Sequence, residues 1–186
     1  DCTSSFVIFG RWAGRAFASA ERIERIHEMS DIEIEQFEIE VVAADRVRPM
    51  RQRVLRPHQS IEQMVYPGDD ASESFHLAAV TGSGDLVGIV SFCIDPHPLD
   101  HGEGDWRLRG MAVEPKLQGK GLGARLVQVG IEKVSEQNGK RLWCNARVSA
   151  QGFYEKLGLT AEGDQFEIPT IGPHYVMSIA VDAEPR

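Results

Sequence analysis

Met111-Ala112-Val113-Glu114-Pro115-Lys116-Leu117-Gln118-Gly119-Lys120-Gly121-Leu122-Gly123 decides the fold of this chain. Residues 106–113 alternate as a strand does, and Glu114-Pro115 stops them. From Gly121 onward Leu122, Leu126, Val127 and Val134 recur at helical spacing, with Asn138-Gly139 as a C-terminal stop. The stretch is therefore strand, short turn, helix, with three glycines at the junction. A helix N-terminus presents unpaired backbone N–H groups and the positive end of the helix dipole, and glycines let a ligand approach closely. Consecutive amides from Gln118 to about Ala124 offer a nest for a diphosphate. The same glycines would also suit close helix–sheet packing, so both readings stand at this level. Two nucleotide motifs are excluded. Glu114 occupies the first-glycine position of a Walker loop and Gly121 follows Lys120, where Ser or Thr is needed. The glycines also come late, after hairpin strands, not after the first strand of a dinucleotide-binding unit.

Working outward, residues 75–81 and 86–94 are rich in strand formers and flank Gly82-Ser83-Gly84-Asp85, which predicts a hairpin. Asp45 is a candidate N-cap for a helix through Leu55, ending before Pro57, in a segment made basic by Arg46, Arg48, Arg51, Arg53 and Arg56. Residues 141–145 read as a strand, 150–157 as a short helix closed by Gly158, and 159–168 and 174–181 as two last strands. The order is that of an α/β (α+β) domain with a mixed sheet covered by helices. The domain is expected over 37–184. Residues 1–36 form an N-terminal extension, with an amphipathic helix expected over 12–27.

A net charge of -8, from 28 acidic and 20 basic residues, argues against a nucleic-acid partner, and no basic stripe interleaved with aromatics offsets it. Cys2, Cys93 and Cys144 form neither a CxxC pair nor a zinc spacing, so no metal is expected and a reducing cytoplasm fits. No run of about eighteen apolar residues predicts a membrane span.

The stretch 111–123 resembles the acetyl-CoA signature of the GNAT superfamily of N-acetyltransferases, with Gln118, Gly121 and Gly123 matching its core form. Ala150-Gln151-Gly152-Phe153-Tyr154-Glu155-Lys156-Leu157-Gly158-Leu159 is similar to the family's second motif, in the family's order and separation. The spacing of Ala146-Arg147 and Phe153-Tyr154, with Pro173-His174, is weakly similar to the ElaA-type branch. The resemblance implies the acyl-CoA N-acyltransferase fold, a largely antiparallel sheet of six to seven strands flanked by about four helices. It also implies that the strand ending at Val113 splays from the strand at 141–145, with acetyl-CoA as co-substrate entering between them. Backbone groups of Met111, Ala112 and Val113 would then face the pantetheine and thioester, and Gln118, Gly119, Lys120, Gly121, Leu122, Gly123 and Ala124 would hold the pyrophosphate.

Transfer to an amine needs a neutral nitrogen, a polarised carbonyl and a proton for the departing thiolate. Tyr154 resembles the family tyrosine that protonates the sulfur, although Ala150, Phe153, Tyr154 and Leu157 share one helical face and a core aromatic is the alternative. Glu103, Asp105 and His174 are candidate bases. Many family members have an Asn seven residues before the motif tyrosine, where this chain has Arg147, with Asn145 two residues earlier. The acceptor, a small-molecule or protein amine, is left open by the loops. So are a homodimer and the rival reading of a non-catalytic or regulatory acyl-CoA-binding module.

Overall fold

The structure is a computed structural model that describes residues 37–181, so the helix expected over 12–27 lies outside the described residues. Seven strands form one sheet: β1 (Glu38–Val42), β2 (Phe75–Val80), β3 (Leu86–Ile94), β4 (Asp105–Val113), β5 (Arg141–Arg147), β6 (Thr160–Ile168) and β7 (Gly172–Ala180). Their order is β1-β2-β3-β4-β5-β7-β6, and every neighbouring pair is antiparallel except β4 and β5. The expected sheet is thus found, with its 75–81 and 86–94 hairpin intact.

Helices cover both faces. β2 is buried along its whole length because its alternate residues serve two cores. Leu77 and Ala79 join Leu122, Leu126, Val127 and Val134 of α2 (Leu122–Glu136). Ala78 and Val80 join Val47 and Met50 of α1 (Ala44–Met50). This explains why the sequence there reads as a continuous apolar run, not an alternation. A fully buried side chain such as Leu126 contributes about 1.5–3 kcal/mol through removal from water.

The first helix departs from expectation. Its N-cap is Ala43, which makes no side-chain cap bond, and Asp45 sits inside the first turn. The α-helix ends at Met50 and continues as a π-helical turn, Arg51–Leu55, in which the Arg56 N–H donates to the Arg51 and Gln52 carbonyls, both at 3.1 Å. Pro49 lies inside the helix, where it offers no N–H and crowds the preceding turn, which accounts for the change of winding. The helix expected at 150–157 is a 3-10 turn, Val148–Ala150, followed by α3 (Gln151–Glu155). Among the described residues there are therefore three α-helices, not about four.

Candidate active site

The parallel pair β4 and β5 is joined only over Asp105–Arg107 and Arg141–Trp143. The Asp105 carboxylate clamps that short junction by accepting from Arg141 Nε at 2.8 Å and Nη2 at 3.0 Å. Asp100 adds two more acceptors for the same guanidinium, at 2.9 and 2.6 Å. Those hydrogen bonds from Arg141 hold the Asp100 carboxyl down to about 2. Burial pushes Asp105 up, but Arg141 and the His97 N–H outweigh it and its carboxyl is also lowered. Past the junction β4 follows β3 and β5 follows β7, so the two strands part and leave a cleft of about 880 Å³.

A β-bulge shapes the cleft wall. Ile89 pairs with Ala112 but Ser91 pairs with Arg109, so Gly110 and Met111 together oppose Val90. Gly110 holds φ +60, and a Cβ on it would lie 2.9 Å from Arg51 Nε. Arg51 is wholly buried and donates to the Met64 carbonyl at 2.8 Å, to Asp69 Oδ1 at 3.0 Å and to Ser91 Oγ at 2.7 Å. His76 Nε2–H donates to the Asp69 carbonyl at 3.0 Å, so Nδ1 accepts from Ser91 at 2.7 Å, and burial keeps this ring below its ordinary pKa. Tyr66 lies under the guanidinium, 4.2 Å from ring centre to Cζ. The bulge is thus backed by a buried polar network in which the Arg51 Nε alone of that guanidinium's nitrogens makes no hydrogen bond.

At the mouth of the cleft the chain makes a 3-10 turn, Pro115–Leu117, and then the glycine loop. Gly119 and Gly121 hold φ +76 and +89, angles that side-chain-bearing residues rarely adopt. Gln118 Nε2 donates to the Val113 carbonyl at 2.9 Å, tying the loop to the strand it leaves. Gly121 caps α2 without any side-chain bond, and the first backbone bond runs from the Arg125 N–H to the Gly121 carbonyl. The N–H groups of the first turn thus have no intrahelical acceptor. A Cβ on Gly119 would meet nothing within 4 Å, so close packing does not require glycine there.

Of the residues singled out from sequence, Met111, Gln118 and His174 line the cleft, as do Asn145 and Arg147. Ala112 and Val113 bury their side chains in the two cores. His174 is buried beside Phe166, and its Nδ1–H donates to the Gly172 carbonyl at 2.7 Å, leaving Nε2 as the basic nitrogen. Tyr154 lies in the core against Phe153 and is not among the cleft-lining residues. Burial, then the neighbouring Cys144, push its phenol well above the ordinary value. Glu103 is exposed at the closed end, before β4, and does not reach the cleft. Asp105 is occupied by Arg141. The sequence reading missed Asp95, Arg107, Arg109 and Tyr66, which also line the cleft. Arg107 and Arg109 alternate with buried Trp106 and Leu108, which was the available clue to a second working face.

A parted parallel pair, a bulged wall and an uncapped helix behind a glycine loop thus follow one another along β4 and α2. Residues 27–159 match the Acetyltransferase (GNAT) family. The chain is 40% identical over 140 residues to the uncharacterized N-acetyltransferase YitI of Bacillus subtilis, covering 75% of this chain and 93% of that protein. The fold is also that of Escherichia coli ElaA, at TM-score 0.63 and 16% identity over 76% of this chain and 98% of that one. An aminoglycoside 6'-N-acetyltransferase complexed with coenzyme A superposes at TM-score 0.61 and 18% identity, over 80% and 99% of the respective chains. This chain belongs to the GNAT family and is an acyl-CoA-dependent acyltransferase. Among the described residues no cluster of His, Cys, Asp or Glu is placed to hold a metal ion, and no helix is long and apolar enough to cross a membrane.

Proposed function

We propose that the protein transfers an acetyl group from acetyl-CoA to a primary amine by direct attack within a ternary complex. The observation that carries this reading is the cleft between β4 and β5, which Gln118 at the start of the glycine loop also lines. The amides of residues 118–124 receive the pyrophosphate, with Gln118 bracing the loop against Val113. Backbone groups of Met111, Ala112 and Val113 face the pantetheine and thioester. His174 Nε2 takes the proton from the attacking ammonium, whose pKa near 10 otherwise keeps it protonated. Tyr154 protonates the departing sulfur, a role that requires its phenol to turn toward the thioester from the core, since it does not line the cleft. Its raised pKa keeps the phenol protonated, and a thiolate entering the same apolar surroundings has its own pKa raised by burial.

A route through an acyl-cysteine is disfavoured by the two described thiols. Burial pushes Cys144 up to about 12 and raises Cys93 as well, so neither is a thiolate at neutral pH. The rival reading of a non-catalytic acyl-CoA-binding module draws on the core position of Tyr154. Tyr154→Phe separates the two. Thiol release should fall about tenfold or more in kcat with little change in KM for acetyl-CoA. Unchanged turnover would remove Tyr154 from the mechanism, and undetectable turnover in the unaltered protein with every amine tried would favour the rival.

A further inference from the structure

Arg56, Arg107, Arg109 and Arg147 line the cleft, and Asp95 is the one carboxylate among its lining residues. This runs against a chain that carries 28 acidic and 20 basic residues. Cross-strand pairing gathers two of these arginines on one face. Ser91 pairs with Arg109, Cys93 with Arg107, and Arg107 with Trp143. That face is the one opposite α2, whose own core takes the intervening Phe92 and Leu108.

The charge on this face is only partly neutralised. Arg107 Nη1 donates to Asp95 Oδ2 at 2.9 Å, while its Nε is buried without a partner. Arg109 Nη2 lies 3.5 Å from Asp69 Oδ1 and donates to the Pro67 carbonyl, while its Nε too is buried without a partner. Asp69 is already held by Arg51, so one carboxylate serves two guanidiniums. Arg56 and Arg147 make no side-chain bond to a described residue.

The donor's pyrophosphate does not account for this charge. Arg107 sits where β4 and β5 still touch, and Arg109 lies four residues before Val113. Of the glycine loop only Gln118 lines the cleft, and four residues of extended strand, about 13 Å of path, separate Arg109 from Val113 where that loop is tied. A guanidinium fork pairs two N–H groups with two oxygens of a carboxylate or of a phosphate.

We infer that the acceptor is a small amine that also carries an anionic oxygen group, received by Arg107 and Arg109 with Arg56 at the rim, and that these residues set acceptor specificity. The inference rests on the acetyl-transfer reading above. The overall acidity of the chain, which by itself favours a cationic acceptor, is thereby reversed at the site.

The test uses the full chain, with acetyl-CoA binding first measured by calorimetry. Thiol release is then compared for amino acids against their amides, for an aminoalkyl phosphate against its amino alcohol, and for a polyamine and an aminoglycoside. The anionic member of at least one matched pair should exceed its neutral partner about tenfold or more in kcat/KM, and which pair does so separates carboxylate from phosphate. Arg109→Gln, and independently Arg56→Gln, should lower kcat/KM for the preferred anionic amine by about the same factor while leaving its neutral partner within roughly twofold. The use of Arg56, which has no side-chain bond to lose, covers failure of the Arg109 variant to fold. Acetyl-CoA binding together with equal or better turnover of the neutral and cationic amines, or no turnover of any anionic amine, overturns this inference and leaves the donor site standing. Absence of acetyl-CoA binding overturns both.

Discussion

Replacing Gly119 by Ala separates a ligand cradle from a packing junction. Gly119 holds φ +76, and an added Cβ would meet no atom within 4 Å. Close packing therefore gives no reason for glycine here; the backbone angle and the open space above it do. Holding Ala in the left-handed region costs about 1–2 kcal/mol. For a domain of this size that lowers Tm by roughly 2–8 °C, a modest loss for a folded protein. In the proposed pose the diphosphate lies on the loop amides, and the added methyl, or the change of backbone angle it forces, disturbs that contact. Each charge-assisted hydrogen bond lost there is worth about 1.5–3 kcal/mol, so acetyl-CoA affinity should fall roughly 10- to 100-fold. Thermal melts give the first quantity and calorimetric titration with acetyl-CoA the second. A variant that melts lower but binds acetyl-CoA within about twofold of the unaltered protein would refute the reasoning.

Arg51→Met should cost about 3–5 kcal/mol in urea unfolding, because it strips buried Asp69 and Ser91 of their guanidinium partner. Gly130→Ala would put a Cβ 1.9 Å from Phe92 Cζ, in the core beneath α2, and should destabilise by about 1–3 kcal/mol in the same assay. Asp100 and Asp105 have carboxyls lowered by Arg141 from an ordinary 3.8, Asp100 to about 2. The unfolded chain thus takes up protons before the folded one does, and their contribution is present above pH 3.8 and lost as pH falls toward 2. Arg141→Gln should be less stable at neutral pH and show a shallower loss across that window, measured by urea unfolding at successive pH values.

The glycine loop and the helix it opens are legible in the sequence because they are local. A change of hydrophobic period, a run of glycines and a helix with no capping side chain all fall within residues 106–134. The bulge announces itself only as Gly110 inside a strand pattern, since its partner Val90 lies on another strand. Arg51 is the least legible. Its segment carries five arginines and reads as a solvated face, yet a π-helical turn after Pro49 delivers this one to acceptors 13, 18 and 40 residues away. Tyr154 illustrates both the reach and the limit of periodicity. The face it shares with Ala150, Phe153 and Leu157 does meet the core, but helical spacing says nothing about where the phenol stands relative to a cleft formed by β4 and β5. Glu103 was attractive for its nearness to β4 in sequence, but it lies at the end where the strands are joined.

The claim at the centre is that acetyl-CoA lies with its pyrophosphate on the amides of residues 118–124 and its thioester along the bulged wall of β4. Titration of acetyl-CoA into the full chain, followed by amide NMR, reads those groups directly. The largest shifts are expected at residues 118–124 and at Met111, Ala112 and Val113. Binding whose shifts fall elsewhere, or no shift at any concentration tried, would contradict it.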